Sequence, residues 1–245
     1  MTPYRFFWFS VLSFLILSFS SCSEKLNAEQ ILEKSIASHG GIASWESVSS
    51  IRYLKETTLY TASGEIESVG RQYIEHHWNP DYTLMEWENE NNKHRAFLDA
   101  DRFTYSINGS AVNDSLLLES AISSAKASLY VFWQPITLLD PKAKLENVAL
   151  SPPLLNSPSL VVKVTYPQVK NGDVWHYFFD QKTFRLVATQ VLHNGNTSLI
   201  VNETTETETG LHLNATRKSF TLDETGKIKF LRASYRYSIL AIEYH

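Results

Sequence analysis

The side chains able to do chemistry are few and scattered. The chain holds eight histidines and a single cysteine, Cys22. His76 and His77 form an adjacent pair, with His94, Asp99 and Asp101 as further donors, but neighbours on a strand point to opposite faces and cannot readily share one ion. No HExxH and no cysteine cluster accompanies them, so the spacing predicts no metal centre. Glu86 and Glu88 share a strand face, where one of two carboxylates can hold a raised pKa; a solvated strand face looks the same. No G-x-S-x-G occurs, and no spacing singles out one serine with one histidine. His39, just before Gly40-Gly41, is either an acid-base residue or ligand or, more simply, a helix C-terminal cap. The reading is therefore of a protein that is not an enzyme, with no catalytic residue, cofactor or metal. The aromatic residues are more suggestive. Trp175, Tyr177 and Phe179 fall on one face of a strand, Met85 and Trp87 on one face of another, and Phe132 with Trp133 ends a helix. Together they form a candidate apolar pocket, although filling the core between helix and sheet is the commoner use of such rings.

The first residues decide the compartment. Met1–Arg5 carry one positive charge, Phe6–Phe19 run apolar apart from isolated serines, and Ser20, Ser21 and Cys22 close the segment. A helix of roughly 14 residues reaches about 21 Å, short of the ~30 Å hydrocarbon core, so the segment reads as an export signal rather than a membrane span. The lone cysteine excludes an intrachain disulfide framework. The stretch Leu17-Ser18-Phe19-Ser20-Ser21-Cys22 resembles a bacterial lipobox, which implies cleavage before Cys22 and acylation of its sulfur with palmitate-like chains; a plain signal cut nearby would leave a free thiol. Two or three acyl chains together make release from a membrane negligible. Removing residues 1–21, which hold Arg5 and no acid, takes the basic count from 22 to 21 against 26 acids and gives a formal charge of −5. That balance argues against nucleic acid or anionic headgroups as electrostatic partners.

These features need elements to position them. Asn27 and Gln30 have the spacing of a capping box, and Ile31, Leu32, Ser35 and Ile36 recur at helical period until Gly40-Gly41, predicting a helix over Ala28–Ser38. From Val48 onward, strand-forming runs alternate with Ser63-Gly64, Asn108-Gly109, Asn171-Gly172, Asn194-Gly195, Thr209-Gly210 and Thr225-Gly226 turns. Strands are predicted from Ser50 to Tyr237, among them Leu145–Leu150, Ser198–Glu208, Leu211–Leu222 and Ile228–Tyr237. Ser115–Trp133 breaks the series with a second, strongly apolar helix limited by Pro135. Pro152, Pro153 and Pro158 mark an irregular loop. The N-x-S/T tripeptides at Asn108, Asn113, Asn196, Asn202 and Asn214 read as turn and strand residues in a bacterial chain.

Three stretches carry a family resemblance. Ile31–Gly41 (ILEKSIASHGG) followed by Trp45, Trp175–Leu186 (WHYFFDQKTFRL) and Gly210–Lys218 (GLHLNATRK) resemble segments of lipoproteins related to the LolA-type outer-membrane lipoprotein carriers, in particular Bacteroidota members. The resemblance implies a mainly β, α+β fold: a strongly curved antiparallel sheet or half-open barrel, with the N-terminal and mid-chain helices packed on its concave side. Carriers of that type hold acyl chains in the hollow. The chain is accordingly read as a signal peptide (1–21), a lipidated tether (22–27) and one LolA-like domain (28–245). The expected function is that of an envelope lipoprotein, at the outer membrane, binding a lipid or acyl chain. A scaffold with a filled core that engages an envelope protein partner is the alternative, and an unrecognised hydrolase stands behind both.

Overall fold

The structure, a computed structural model, describes residues 25–99, 102–151, 155, 158–170 and 172–245. The leader and Cys22, Asp101, Pro152, Pro153 and Asn171 lie outside the described residues.

Helix α1 (Ala28–Ser38) starts where its cap requires. The Asn27 side chain accepts from the Gln30 N–H at 2.8 Å, and the Gln30 side-chain oxygen accepts from the Asn27 N–H at 2.9 Å. Its buried stripe is Ala28, Ile31, Leu32, Ser35 and Ile36. Gly40, at φ +94°, then turns the chain so closely under the Gly210 carbonyl that a Cβ would lie 2.5 Å from that oxygen. A short helix absent from the sequence reading, α2 (Ile42–Glu46), follows and buries Trp45, whose indole N–H donates to the His39 carbonyl at 2.6 Å.

The strands come in two runs. The first is β1 (Val48–Tyr60), β2 (Ile66–Trp78), β3 (Asp81–Asn89), β4 (Asn92–Asp99), β5 (Phe103–Ile107) and β6 (Ser110–Ala111). Helix α3 (Ser115–Phe132) and a 3-10 turn (Ile136–Leu139) lead to β7 (Lys144–Asn147), β8 (Ser159–Thr165), β9 (Val174–Asp180), β10 (Leu186–His193), β11 (Asn196–Thr205), β12 (Asn214–Leu222) and β13 (Ile228–Tyr244). All form one antiparallel sheet in the order β6-β5-β4-β3-β2-β1-β13-β12-β11-β10-β9-β8-β7. Each run is a meander, and the first and last strands join the two at the centre.

The sheet is curved and open, a half-barrel. The helix measures the curvature. Strands β5 and β9 stand nine places apart, about 43 Å along a flat sheet at ~4.8 Å per strand. Yet α3 meets both, lying against Tyr105 at Leu117 and bonding Tyr177 from Tyr130, positions only about 20 Å apart along its axis. Facing it, Tyr53, Ile74, Met85, Ala96 and Tyr105 align across β1 to β5 on the concave side. The next row, Leu54, Tyr73, Glu86, Arg95 and Ser106, faces outward. Most of the core lies between the concave face and the helices; a smaller cluster of Val161, Phe178, Ala188, Leu199 and Leu222 sits on the other face.

Several strand limits differ from the sequence reading. β13 continues past Tyr237 to Tyr244, because its end pairs with the start of β1, down to Val48 opposite Tyr244. β11 stops at Thr205 and β12 starts at Asn214: Gly210 at φ +77° and His212 at φ +50° break the strand. That loop closes on one carboxylate, since Glu206 accepts from the Thr209 and Leu213 N–H groups at 2.9 and 2.8 Å. The predicted Leu145–Leu150 strand is confined to Lys144–Asn147. Among the described residues no helix is long and apolar enough to cross a membrane.

Gly40 provides a test of this packing. Gly40→Ala should lower unfolding stability by about 2 kcal/mol or more, since it combines left-handed strain with a backbone clash. Urea titration of the two proteins, compared at equal slope, measures it.

Candidate functional site

The concave side is filled in one half and hollow in the other. Phe132, at the end of α3, stacks on Tyr53 with ring centroids 3.9 Å apart. Trp133 packs edge-on against Trp78 at 4.7 Å and Trp45 at 5.6 Å. Tyr177 and Phe179 are fully buried in the same core, and Trp175, half-buried, lies beside Tyr177 at 6.0 Å. The Tyr177 hydroxyl meets the Tyr130 hydroxyl at 2.9 Å and accepts from the Gln134 amide at 3.1 Å, tying the end of α3 to β9. Burial pushes both phenols well above the ordinary tyrosine range, so they stay neutral.

Met85 and Trp87 are placed elsewhere. With Gln72, Ala96 and Tyr105 they floor a cavity of about 280 Å³ beneath the first half of α3. Its roof is Leu117 and the small side chains of Ser120, Ala121, Ser124 and Ala125. Three rings make one wall: Trp87 lies parallel to His94 at 5.1 Å, and His94 parallel to Tyr105 at 6.0 Å, with the His94 ring nitrogen 2.7 Å from the Tyr105 hydroxyl. On the other flank of α3 a second cleft of about 530 Å³ runs past Thr83, Leu98 and Phe103 under Ile122 and Leu129.

Helix α3 is poorly buried for its composition. Of its eighteen residues only Ala125 and Phe132 are buried, while Leu116 and Leu117 are 74% and 51% exposed. The seven residues grouped from sequence are thus divided between a packed core (Phe132, Trp133, Tyr177, Phe179), its margin (Trp175) and the hollow (Met85, Trp87). The roof was missed because the helix was read by its large residues. The signal is present: Ser120-Ala121 recurs four residues later as Ser124-Ala125, one helical face without bulk.

The polar candidates serve the fold. His76 bonds Thr83 at 2.8 Å and packs on Trp78; burial first, with His77 adding to it, lowers it to about 4. His77 bonds Glu75 and stacks on Tyr82. Glu86 and Glu88 pair across strands with Arg95 and Lys93, and Asp99 pairs with Arg102. Among the described residues no group of three or more His, Cys, Asp or Glu is placed to hold a metal ion.

No protein-family model matches the sequence, and no curated protein matches it significantly. Among solved structures, a LolA superfamily protein from Nitrosomonas europaea aligns over 90% of this chain and 94% of its own, with a TM-score of 0.53 at 10% identity. The fold is LolA-like. The lipoprotein LppX of Mycobacterium tuberculosis aligns over 85% of this chain and 92% of its own at 10% identity, but its TM-score of 0.26 carries no argument. In the LolA-like half-barrel described above, α3 stands over the hollow and α1 over the filled half.

His39 anchors that filled half and sets a pH limit. Its Nδ1 lies 3.1 Å from the His212 carbonyl, to which it must donate, and its Nε2 accepts from the Leu186 N–H at 3.2 Å. Only the neutral ring can do both. Burial is the main cause that lowers it from 6.5 to about 4. The unfolded chain therefore takes up this proton first as pH falls: the stabilisation is complete above pH 6.5, declines below it and is lost through pH 4, a loss of about 3 kcal/mol. Chemical unfolding at pH 7 and 4.5 should show this decline, and His39→Gln should reduce it.

Proposed function

We propose that this chain is an envelope lipoprotein, held at the outer membrane through Cys22, that takes an apolar or amphipathic ligand into the hollow between α3 and strands β2 to β5. The observation that carries this is the small-residue face of α3 over an aromatic-walled cavity, on a helix that leaves Leu116 and much of Leu117 in water. A helix this apolar gains little by standing where it does unless something else covers it. The lining mixes Met85, Trp87, Tyr105, Leu117 and three alanines with Gln72, Ser120 and Ser124, which suits the chain of an amphipathic ligand such as the acyl chain that the LolA resemblance implies, and no bond-making chemistry is required.

The anchor fits the same picture. The Leu26 carbonyl accepts from the Asn147 side chain at 2.6 Å, so the chain is fixed to the domain from there on. From Cys22 to Leu26 the backbone spans at most about 14 Å. A lipid on Cys22 would keep the domain beside the bilayer, within reach of its ligands.

The rival reading is a scaffold that binds an envelope protein, favoured by the Tyr53–Phe132 stack and the Trp133 cluster, which fill the centre of the concave side. Ala121→Trp separates the two. It fills the roof of the hollow without touching that cluster, so acyl-chain uptake should fall at least tenfold while thermal stability holds; native mass spectrometry of protein taken from its own membrane reads the ligand directly. Unchanged uptake would favour the scaffold. Independently, Cys22→Ser should abolish incorporation of labelled palmitate and move the protein out of the membrane fraction.

A further inference from the structure

The hollow does not end on an apolar wall. Its floor row runs from Trp87 to Gln72 to Lys55, cross-strand partners in register on β3, β2 and β1. Lys55 points to the concave side and meets α3, its ammonium donating to the Ser128 hydroxyl at 3.2 Å and lying 5.7 Å from the centre of the Tyr235 ring. Beside it is Arg217 of β12. Its side chain is among the largest fully buried ones, at 2% exposure, surrounded by Tyr177, Tyr235 and Tyr237.

Among the described residues these two cations have no counter-charge. No carboxylate among the described residues forms an ion pair with either one. Arg217 Nη1 donates to the Val131 carbonyl at a long 3.4 Å, while Nε and Nη2 make no hydrogen bond of acceptable geometry. Burial is the main cause that brings Lys55 from its ordinary range down to about 8, with Arg217 adding repulsion. Unpaired charge in such a place is costly, and a fold that only needed a core would put an apolar residue there. The two partners that α3 does supply, Ser128 and Val131, lie in its last turns, where helix carbonyls lack intrahelical donors and carry partial negative charge. They occupy the position an anion would take.

We infer that Lys55 and Arg217 form the head-group site for an anionic amphipath, whose chain lies over Met85, Trp87 and Ala96 and whose carboxylate or phosphate replaces the last turn of α3 on the two cations. The inference rests on the proposed reading of the hollow and adds the ligand's charge. A guanidinium whose Nε and Nη2 are poorly satisfied, with only the Tyr237 phenol near them, and a neighbouring ammonium suit either oxyanion.

The test uses the full-length, delipidated protein and three probes with the same chain: oleate, monooleyl phosphate and oleyl alcohol. An oleate or phosphate affinity at least tenfold above that for the alcohol is expected, and whichever anion binds tighter assigns the head group. Lys55→Met should remove the preference and keep alcohol binding, whereas Lys55→Arg should retain it. Arg217→Met should act in the same way where its melting temperature shows it folded. Equal binding of the alcohol and both anions, or a preference that survives Lys55→Met, overturns the head-group site alone. Failure of all three probes to bind overturns it together with the reading of the hollow.

Discussion

The pairing of the first strand with the last is the constraint from which the remaining architecture follows. β1 and β13 run antiparallel from Val48 opposite Tyr244 to Leu59 opposite Ala233. Each then opens a meander to its own side, so the two free edges of the sheet are β6 and β7, strands that are neighbours in the chain and farthest apart in the sheet. The segment between them has to return across the face. α3 therefore stands over the concave side because the topology sends it there, held by packing in its last turns and with little from its first half.

Register shifts are distributed unevenly along the sheet. They interrupt the β1–β13, β12–β13 and β11–β12 pairs, where extra residues bend and twist a strand, while β2 to β5 pair without interruption. Phe132 packs on the centre of the sheet, against Tyr53 of β1 and Tyr237 of β13, while α1 lies against β7 and β8. Over β2 to β5, small residues on both sides, Ala96 below and Ala121 above, leave a gap beneath α3. Leaving Leu116 and Leu117 in water forgoes burial worth roughly 1.5–3 kcal/mol per side chain. A helix retained at such a cost is retained for what it covers.

What the sequence disclosed follows from how local each signal is. The capping box of Asn27 and Gln30 and the apolar run of α3 are written within one element, and both helices are where their periodicity puts them. Asn108-Gly109 and Asn194-Gly195 take the positive φ values of tight hairpins; Glu90-Asn91 does the same between β3 and β4 without a glycine, and so gave no signal. The alternation of Trp175, Tyr177 and Phe179 fixes that they share a face. It does not say which rings that face will meet, and Met85 and Trp87, seven places away in the sheet order, meet others. Non-local closure settles that, and no window of sequence contains it.

The same closure explains why a buried arginine survives here. Arg217 looks like any strand residue in a run of polar neighbours, and only the return of α3 across β12 makes it internal. The helix crosses in one direction only. Its N-terminus, capped by the Asp114 carboxylate at 2.9 Å to both the Leu116 and Leu117 N–H groups, faces the β6 edge, and its C-terminus comes down on the centre of the sheet. The negative end of the helix dipole is thus aimed at Lys55 and Arg217. Half a charge from a helix end is a weak substitute for a carboxylate or phosphate, enough to keep the cations folded in and too little to satisfy them. A strand residue and a helix end that share no local sequence signal are joined by topology beside Lys55, where the floor row of the hollow ends.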